Sequence, residues 1–200
     1  MAVATEPASQ VITGHFGVAA GSKSLDHRAP LWSLMVATMW LDVVFVPLVL
    51  LGVETIDTPP GDGYGTSIIH ADYTHSLVGA LVLSAAFGAV AWWRWDRRLG
   101  LLLGGVAFSH WVLDLIVHRG DMPILPGNAG DLPLLGFGLW RVPVVAIPLE
   151  GALLVIGVFF YWRAARSLRS PLTGRVTPSL AAGAMLVSGA IVLVLDALGV

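Results

Sequence analysis

The chain has 200 residues, of which 56% are hydrophobic and only 12% are charged, and its net charge is −2. Soluble domains carry about 25% charged residues, so this composition is typical of a membrane protein. It excludes a basic nucleic-acid-binding surface, and we expect no nucleic-acid partner. The absence of cysteine excludes disulfides, thiolate metal sites and cysteine nucleophiles, so any metal must be held by His, Asp or Glu.

Five apolar stretches are each long enough, at about 20 residues, to span a bilayer as a helix. In chain order they cover residues 31–53, 75–93, 99–118, 143–162 and 179–199. A shorter apolar stretch at 8–22 precedes them and is expected to form a surface helix or a half-spanning one. The sequence therefore predicts an all-α polytopic protein with a single transmembrane domain over residues 1–200. This domain has five transmembrane helices plus a short N-terminal membrane helix.

The basic residues predict the orientation of these helices. All Lys and Arg except two fall in connections on one side: Lys23, Arg28, Arg94, Arg97, Arg98, Arg163, Arg166, Arg169 and Arg175. By the positive-inside rule that side is cytoplasmic, and the loop at 54–74, which has no Lys or Arg, is extracytoplasmic. We expect the protein in the inner (cytoplasmic) membrane, with the lipid bilayer as its partner. The sequence leaves the oligomeric state open.

Ionisable residues inside the apolar stretches are the candidates for a functional site. A charged side chain in hydrocarbon is costly unless it is paired, hydrated or coordinated. Five such residues lie on four of these stretches or at their ends: Asp42, His75, His110, Asp114 and Glu150. At a rise of about 1.5 Å per residue, they share a layer between the midplane and the outer surface. His15 joins this layer if the short N-terminal helix enters the membrane. One polar cavity open to the outside is predicted.

The spacing of His110, Asp114 and His118 puts all three on one stripe of a helix. This spacing favours ligation of a metal ion, with hydrogen bonds between helices as the alternative and a helix-capping role open for His118. Asp42 and His75 are expected as further ligands or as partners of a ligand. The predicted cofactor is a divalent metal, with zinc as the expected ion.

Four polar residues near the outer surface are candidates for chemistry or substrate binding. Glu150 and Asp72 are predicted to transfer protons, because a carboxyl group shielded from water can act as an acid or base near neutral pH. For Glu150 the alternatives are a ligand role and an ion pair with Arg141. Arg119 and Arg141 are the two basic residues expected outside, and they either hold an anionic substrate or contact lipid phosphates.

Four short motifs carry a family resemblance: the His in TGHFG at 13–17, the Asp in WLDV at 40–43, THS at 74–76 and SHWVLD at 109–114. Over residues 11–162 the chain resembles the YdjM-like family of bacterial membrane-bound, metal-dependent hydrolases. The family is similar to zinc-dependent phospholipase C, and the resemblance implies a zinc site for phosphoesters at His15, Asp42, His75, His110 and Asp114. The chain departs from the family at WLDV, where PDxD is usual, and at ADY, where a basic–glycine pair usually precedes THS.

The expected function is metal-dependent hydrolysis of a phosphoester or lipid-borne substrate at the outer leaflet. A transporter or proton relay using the same His and Asp residues is one alternative, although the cytoplasmic halves of the spans have few polar residues. A haem subunit with His75 and His110 as axial ligands is another, although haem needs no neighbouring carboxylates. A non-catalytic accessory subunit of a membrane complex is the third.

Overall fold

The computed structural model describes residues 12–57, 68–167 and 177–198. This part of the chain forms seven α-helices: α1 (Thr13–Ser22), α2 (Leu31–Thr38), α3 (Trp40–Leu50), α4 (Leu77–Arg94), α5 (Arg97–Val117), α6 (Pro143–Ser167) and α7 (Pro178–Leu198). Strands β1 (Thr55–Asp57) and β2 (Ile68–His70) pair antiparallel between α3 and α4. The sequence did not predict this ribbon. Residues 8–11 of the predicted first helix, 58–67 of the predicted outer loop and 199 of the last span lie outside the described part.

The four helices α4, α5, α6 and α7 are long and apolar enough to cross a membrane. Their outer faces expose large apolar side chains, such as Trp93 at 86% and Val144 at 79% exposure, which hydrocarbon accommodates better than water. Their bounds agree closely with the predicted spans. The four helices indicate a membrane protein, and the count rises to five if α2 and α3 together form one span.

The prediction of one continuous helix over residues 31–53 is wrong. The structure breaks this stretch at Met39, which has φ −100° and ψ 8°, and α2 and α3 meet at an angle of 50°. The carbonyl of Thr38, at the end of α2, accepts a hydrogen bond from His110 Nδ1 at 2.7 Å. A side-chain donor at this carbonyl interrupts the i to i+4 ladder, which is a known cause of sharp kinks.

Helix α1 is packed inside the bundle, so the alternative of a surface helix is wrong. It lies mainly against α6 and also touches α2, α5 and α7. Gly17 and Gly157 let the two backbones meet: a Cβ at Gly17 would lie 2.6 Å from the carbonyl carbon of Leu153 on α6. Small residues at such crossings are typical of helix packing in membranes.

Two side-chain caps and an ion network position the remaining helices. Ser76 Oγ accepts from Gly79 N at 3.0 Å and begins α4, and Asp96 accepts from Leu99 N at 3.0 Å and begins α5. Asp26, in the α1–α2 connection, pairs with Arg28 at 2.7 Å and with Arg98 of α5 at 3.2 Å. This network ties the α1–α2 connection to the start of α5, at the end of the bundle opposite the β-ribbon.

Candidate metal centre

Five of the predicted site residues converge in the bundle from four segments. His15 comes from the first turn of α1, Asp42 from the first turn of α3, and His75 from the position just before the Ser76 cap. His110 and Asp114 lie one turn apart on α5. All are buried except Asp42, whose side chain is 22% exposed. Separate segments thus build one buried His/Asp cluster.

The nitrogen and oxygen atoms of this cluster face one another at similar distances. His75 Nε2 and His110 Nε2 are 3.3 Å apart, and they lie 3.4 and 3.1 Å from Asp114 Oδ2. Asp42 Oδ1 is 3.4 and 3.5 Å from the same two nitrogens. Ligands at about 2.0–2.1 Å from a tetrahedral zinc ion are about 3.3–3.4 Å from one another. The observed spacing therefore matches that of metal ligands.

These atoms form two overlapping ligand sets. One set contains Asp42, His75 and His110, and the other contains His15, His110 and Asp114, with all ligand atoms of a set within 4.8 Å of one another. His110 belongs to both sets. Because the Nε2 atom of a neutral imidazole has a single lone pair, His110 can serve only one ion at a time. The described residues could therefore hold one metal ion, which would occupy either of two neighbouring positions, one for each ligand set.

The tautomer of His110 is compatible with ligation. Its Nδ1 lies 2.7 Å from the Thr38 carbonyl, and a carbonyl oxygen can only accept a hydrogen bond. Nδ1 therefore carries a proton, and in the neutral ring the lone pair of Nε2 faces the cluster. Ligand histidines in metalloproteins usually donate their second ring N–H in this way.

His15 supplies an independent indication of a missing partner. Its side chain is fully buried, and neither ring nitrogen has a hydrogen-bond partner within the described chain. Nε2 does lie 3.3 Å from Asp114 Oδ1, which is within ion-pair distance, but the angles do not make a hydrogen bond. An unsatisfied buried nitrogen costs about 1–3 kcal/mol. A cation bound at Nε2 would remove part of this cost, so the donor set fits a metal.

His118 borders the same cavity but stands outside both ligand sets. Its Nδ1 pairs with Asp121 Oδ1 at 2.7 Å, and Asp121 also binds Arg119 Nε. His118 also caps the end of α5. Its predicted role as a ligand stays a prediction.

The predicted proton-transfer and substrate-binding residues are not part of the cavity wall. Glu150 is buried on α6, and its Oε2 accepts a hydrogen bond from Gly14 N in the first turn of α1. Within the described chain, no ion pair joins Glu150 to Arg141, which is exposed. Asp72 is half-buried, and its backbone carbonyl accepts from Gly127 N. The predicted functions of these residues remain open.

The cavity is small and has an apolar rim. Its volume of about 20 Å³ is enough for roughly one water molecule. Phe45, Ile69, Ala71 and Trp140 surround it on the side of the β-ribbon and the α5–α6 connection. The cavity can therefore hold one ion or one water-sized group, and a larger molecule would have to approach from this rim.

Two contributors to the site were not foreseen from the sequence. Thr38 acts through its backbone carbonyl, for which no side-chain signal exists. Glu54 is 1% exposed and binds Thr74, the neighbour of His75. The only sequence signal for Glu54 is an acid directly after an apolar stretch in a loop without Lys or Arg.

No protein-family model, curated protein or solved structure matches this chain. The functional interpretation therefore depends on the geometry of the site, and the YdjM-like resemblance remains an expectation from the sequence.

Proposed function

We propose that the protein is a membrane-embedded, metal-dependent hydrolase. In this proposal one divalent cation takes its ligands from among His15, Asp42, His75, His110 and Asp114, and zinc suits a set of imidazoles and carboxylates. The observation that carries the proposal is the convergence of His75 and His110 Nε2 with two carboxylates at 3.1–3.5 Å. Bound zinc would supply a water of lowered pKa and polarise a phosphoryl oxygen.

The residues of the chain would prepare and shield this reaction. His110 presents its Nε2 lone pair because the Thr38 carbonyl holds the proton at Nδ1. Asp42 is the most exposed member of the cluster and so faces the side from which substrate arrives. Phe45 and Trp140 limit the access of bulk water at the rim. A polar site with few water molecules strengthens electrostatic interactions with a phosphoester.

A lipid-borne phosphoester at the outer leaflet is the substrate class we propose. The α5–α6 connection beside the rim exposes apolar side chains, including Phe137 at 77%, together with the cationic Arg141. Apolar and cationic groups together suit the boundary between acyl chains and phosphate headgroups. This proposal includes five spans, with α2 and α3 crossing as one bent span, and an extracytoplasmic loop at 54–74 in the inner membrane.

The packing below the cluster favours a hydrolase over a transporter or proton relay. Towards the end of the bundle that carries Asp26, the core consists of buried apolar residues such as Leu34, Leu103 and Val106. A proton or ion path would need polar groups or water there. A haem between His75 and His110 is also disfavoured, because their Nε2 atoms are only 3.3 Å apart.

Metal analysis of the purified protein, followed by an assay of hydrolysis, tests this function. We expect about one zinc per wild-type chain, retention of zinc in His70→Ala, and loss of zinc in His110→Ala. His70 is a matched control because it is 45% exposed in the β-ribbon and pairs only with Asp57 among the described residues. Zinc-loaded wild type should cleave phosphoester lipids in mixed micelles, and His110→Ala should not. Equal zinc in wild type and His110→Ala, or no cleavage by loaded protein, would contradict the proposal.

A further inference from the structure

A buried carboxylate, Glu54, contacts Thr74, the residue that directly precedes the proposed ligand His75. Glu54 follows α3, and its side chain is 1% exposed. Its Oε1 accepts hydrogen bonds from the backbone N–H groups of Tyr73 and Thr74 at 2.8 and 2.9 Å. The Thr74 hydroxyl lies 3.1 Å from Oε1 and 3.0 Å from Oε2. Three donors therefore face a group that, as a carboxylate, can only accept.

The single hydrogen of the Thr74 hydroxyl determines what His75 can do. Because the carboxylate of Glu54 can only accept, Thr74 donates its hydrogen to Glu54. The Thr74 oxygen then has lone pairs left for His75 Nδ1, which is 2.8 Å away, so Nδ1 must carry the proton. The second ring nitrogen, Nε2, is left with its lone pair towards His110 and Asp114.

The backbone around His75 is held as firmly as its ring. Trp111 Nε1 donates to the His75 carbonyl at 2.8 Å, and Phe45 packs edge-on against the ring at 5.7 Å. The ring is thus fixed in place, and the proton on Nδ1 is fixed by Thr74. His110 has the corresponding arrangement with the Thr38 carbonyl.

We propose that Glu54 is a positioning residue that acts through the Thr74 hydroxyl to keep His75 in the Nδ1–H form, with Nε2 free to bind a cation. This inference builds on the proposed metal centre and adds an outer partner to it. Outer partners of ligand histidines fix the tautomer and orientation of the ring, and their loss typically weakens metal binding about 10–100-fold.

Glu54→Gln makes a specific test because it reverses the hydrogen bond between the Thr74 hydroxyl and Oε2 of residue 54 with little change in side-chain shape. The Gln oxygen can still accept from the two backbone amides, while its NH₂ group faces the Thr74 oxygen. The NH₂ group replaces the acceptor of the shorter Thr74 contact, which favours donation from the Thr74 hydroxyl to His75 Nδ1, shifts the ring proton towards Nε2 and weakens ligation. Thr74→Val removes the hydroxyl at nearly constant shape, and Thr74→Ser keeps it.

Zinc affinity and the tautomer of His75 are the two measurements. Competition with a chelator should give zinc binding about 10–100-fold weaker in Glu54→Gln and Thr74→Val, and close to wild type in Thr74→Ser. The ¹⁵N spectrum of metal-free, His-labelled protein in detergent should show His75 protonated at Nδ1 in wild type and at Nε2 in Glu54→Gln. The resonance is assigned with His75→Gln, and thermal unfolding of each metal-free variant checks its fold.

The outcomes separate this inference from the proposed function. Wild-type zinc affinity in a folded Glu54→Gln or Thr74→Val, or equal losses in Thr74→Ser and Thr74→Val, would overturn the inference. So would an Nε2–H form of His75 in metal-free wild type. If wild type binds no zinc, the proposed function fails, while the tautomer change in Glu54→Gln still supports or refutes the relay through Thr74.

Discussion

The crossing of α1 and α6 gives a quantitative test of how His15 is held in the site. A Cβ added at Gly17 would lie 2.6 Å from the carbonyl carbon of Leu153 and 2.7 Å from Leu154 N. The Leu153 carbonyl oxygen is closer still, and ordinary contacts begin near 3.4 Å, so Gly17→Ala must separate the two helices by at least about 0.8 Å at this point. Because the obstacle is backbone, it cannot be relieved by a change of rotamer.

The expected magnitude follows from two opposing effects. Overpacking of a tight contact costs about 1–3 kcal/mol. Replacing a helical glycine by alanine gains about 1 kcal/mol in helix propensity. Gly105 on α5 is the matched control, since it is exposed and a Cβ there meets no atom within 4 Å. The difference in unfolding free energy between Gly17→Ala and Gly105→Ala should therefore be about 1–3 kcal/mol.

Thermal unfolding in detergent and chelator competition for zinc are the assays. Gly17→Ala should have the lower Tm of the two variants and weaker zinc binding, by roughly tenfold, because His15 moves with α1. Gly105→Ala should bind zinc as wild type does. Identical stability and zinc affinity in both variants would refute the argument that the glycine crossing positions His15.

Three further predictions concern charge and orientation. The hydrogen bond with Arg28 lowers the pKa of Asp26 to about 2, so Asp26 stabilises the fold above pH 4 and loses this effect as the pH falls towards 2. At pH 7 wild type should be more stable than Asp26→Asn by about 1 kcal/mol. Acid unfolding should show this difference vanish between pH 4 and pH 2. Glu150→Gln should change zinc affinity by less than tenfold, because an amide oxygen still accepts from the α1 backbone; a fall in hydrolysis of roughly 10²–10⁴-fold with zinc retained would instead assign proton transfer to Glu150. Ser67→Cys and Ser170→Cys, both outside the described residues, test the orientation: an impermeant thiol reagent on whole cells should label the first and not the second.

The sequence predicted the long helices and the meeting of the site residues for the same physical reason. Apolar stretches of about 20 residues form helices with a constant rise, so the depth of each polar residue can be counted from the end of its helix. His15, Asp42 and His110 were placed in one layer by this count, and the structure brings their side chains together. Depth alone does not determine which neighbours a buried side chain meets, and Glu150 contacts the α1 backbone at Gly14 and does not line the cavity.

The break at Met39 is the main feature that sequence reasoning could not reach. Prolines and glycines are the usual signals for breaks, but residues 38–40 contain neither, and Pro47 lies inside α3 without ending it. The break coincides instead with a contact made by a residue more than seventy positions away, the hydrogen bond from His110 to the Thr38 carbonyl. Tertiary contacts of this kind leave no trace in local composition.

The helix starts explain how this apolar chain keeps several acids buried near its site. The first N–H groups of a helix lack partners within the helix and carry a partial positive charge, so they stabilise carboxylates. Glu150 binds the N–H of Gly14 at the start of α1, and Asp42 lies in the first turn of α3. Glu54 binds two backbone N–H groups just before α4.

Asp42 and Asp114 are the acids of the cluster, and within the described chain their ion-pair partners are all histidines. Two of these histidines, His75 and His110, have a hydrogen-bond acceptor at Nδ1 and present Nε2 to the acids. Two carboxylates thus share a small cavity with the ring nitrogens that could bind a metal. Their charge is balanced when a divalent cation binds between them, which is the electrostatic reason to expect metal at this place in the bundle.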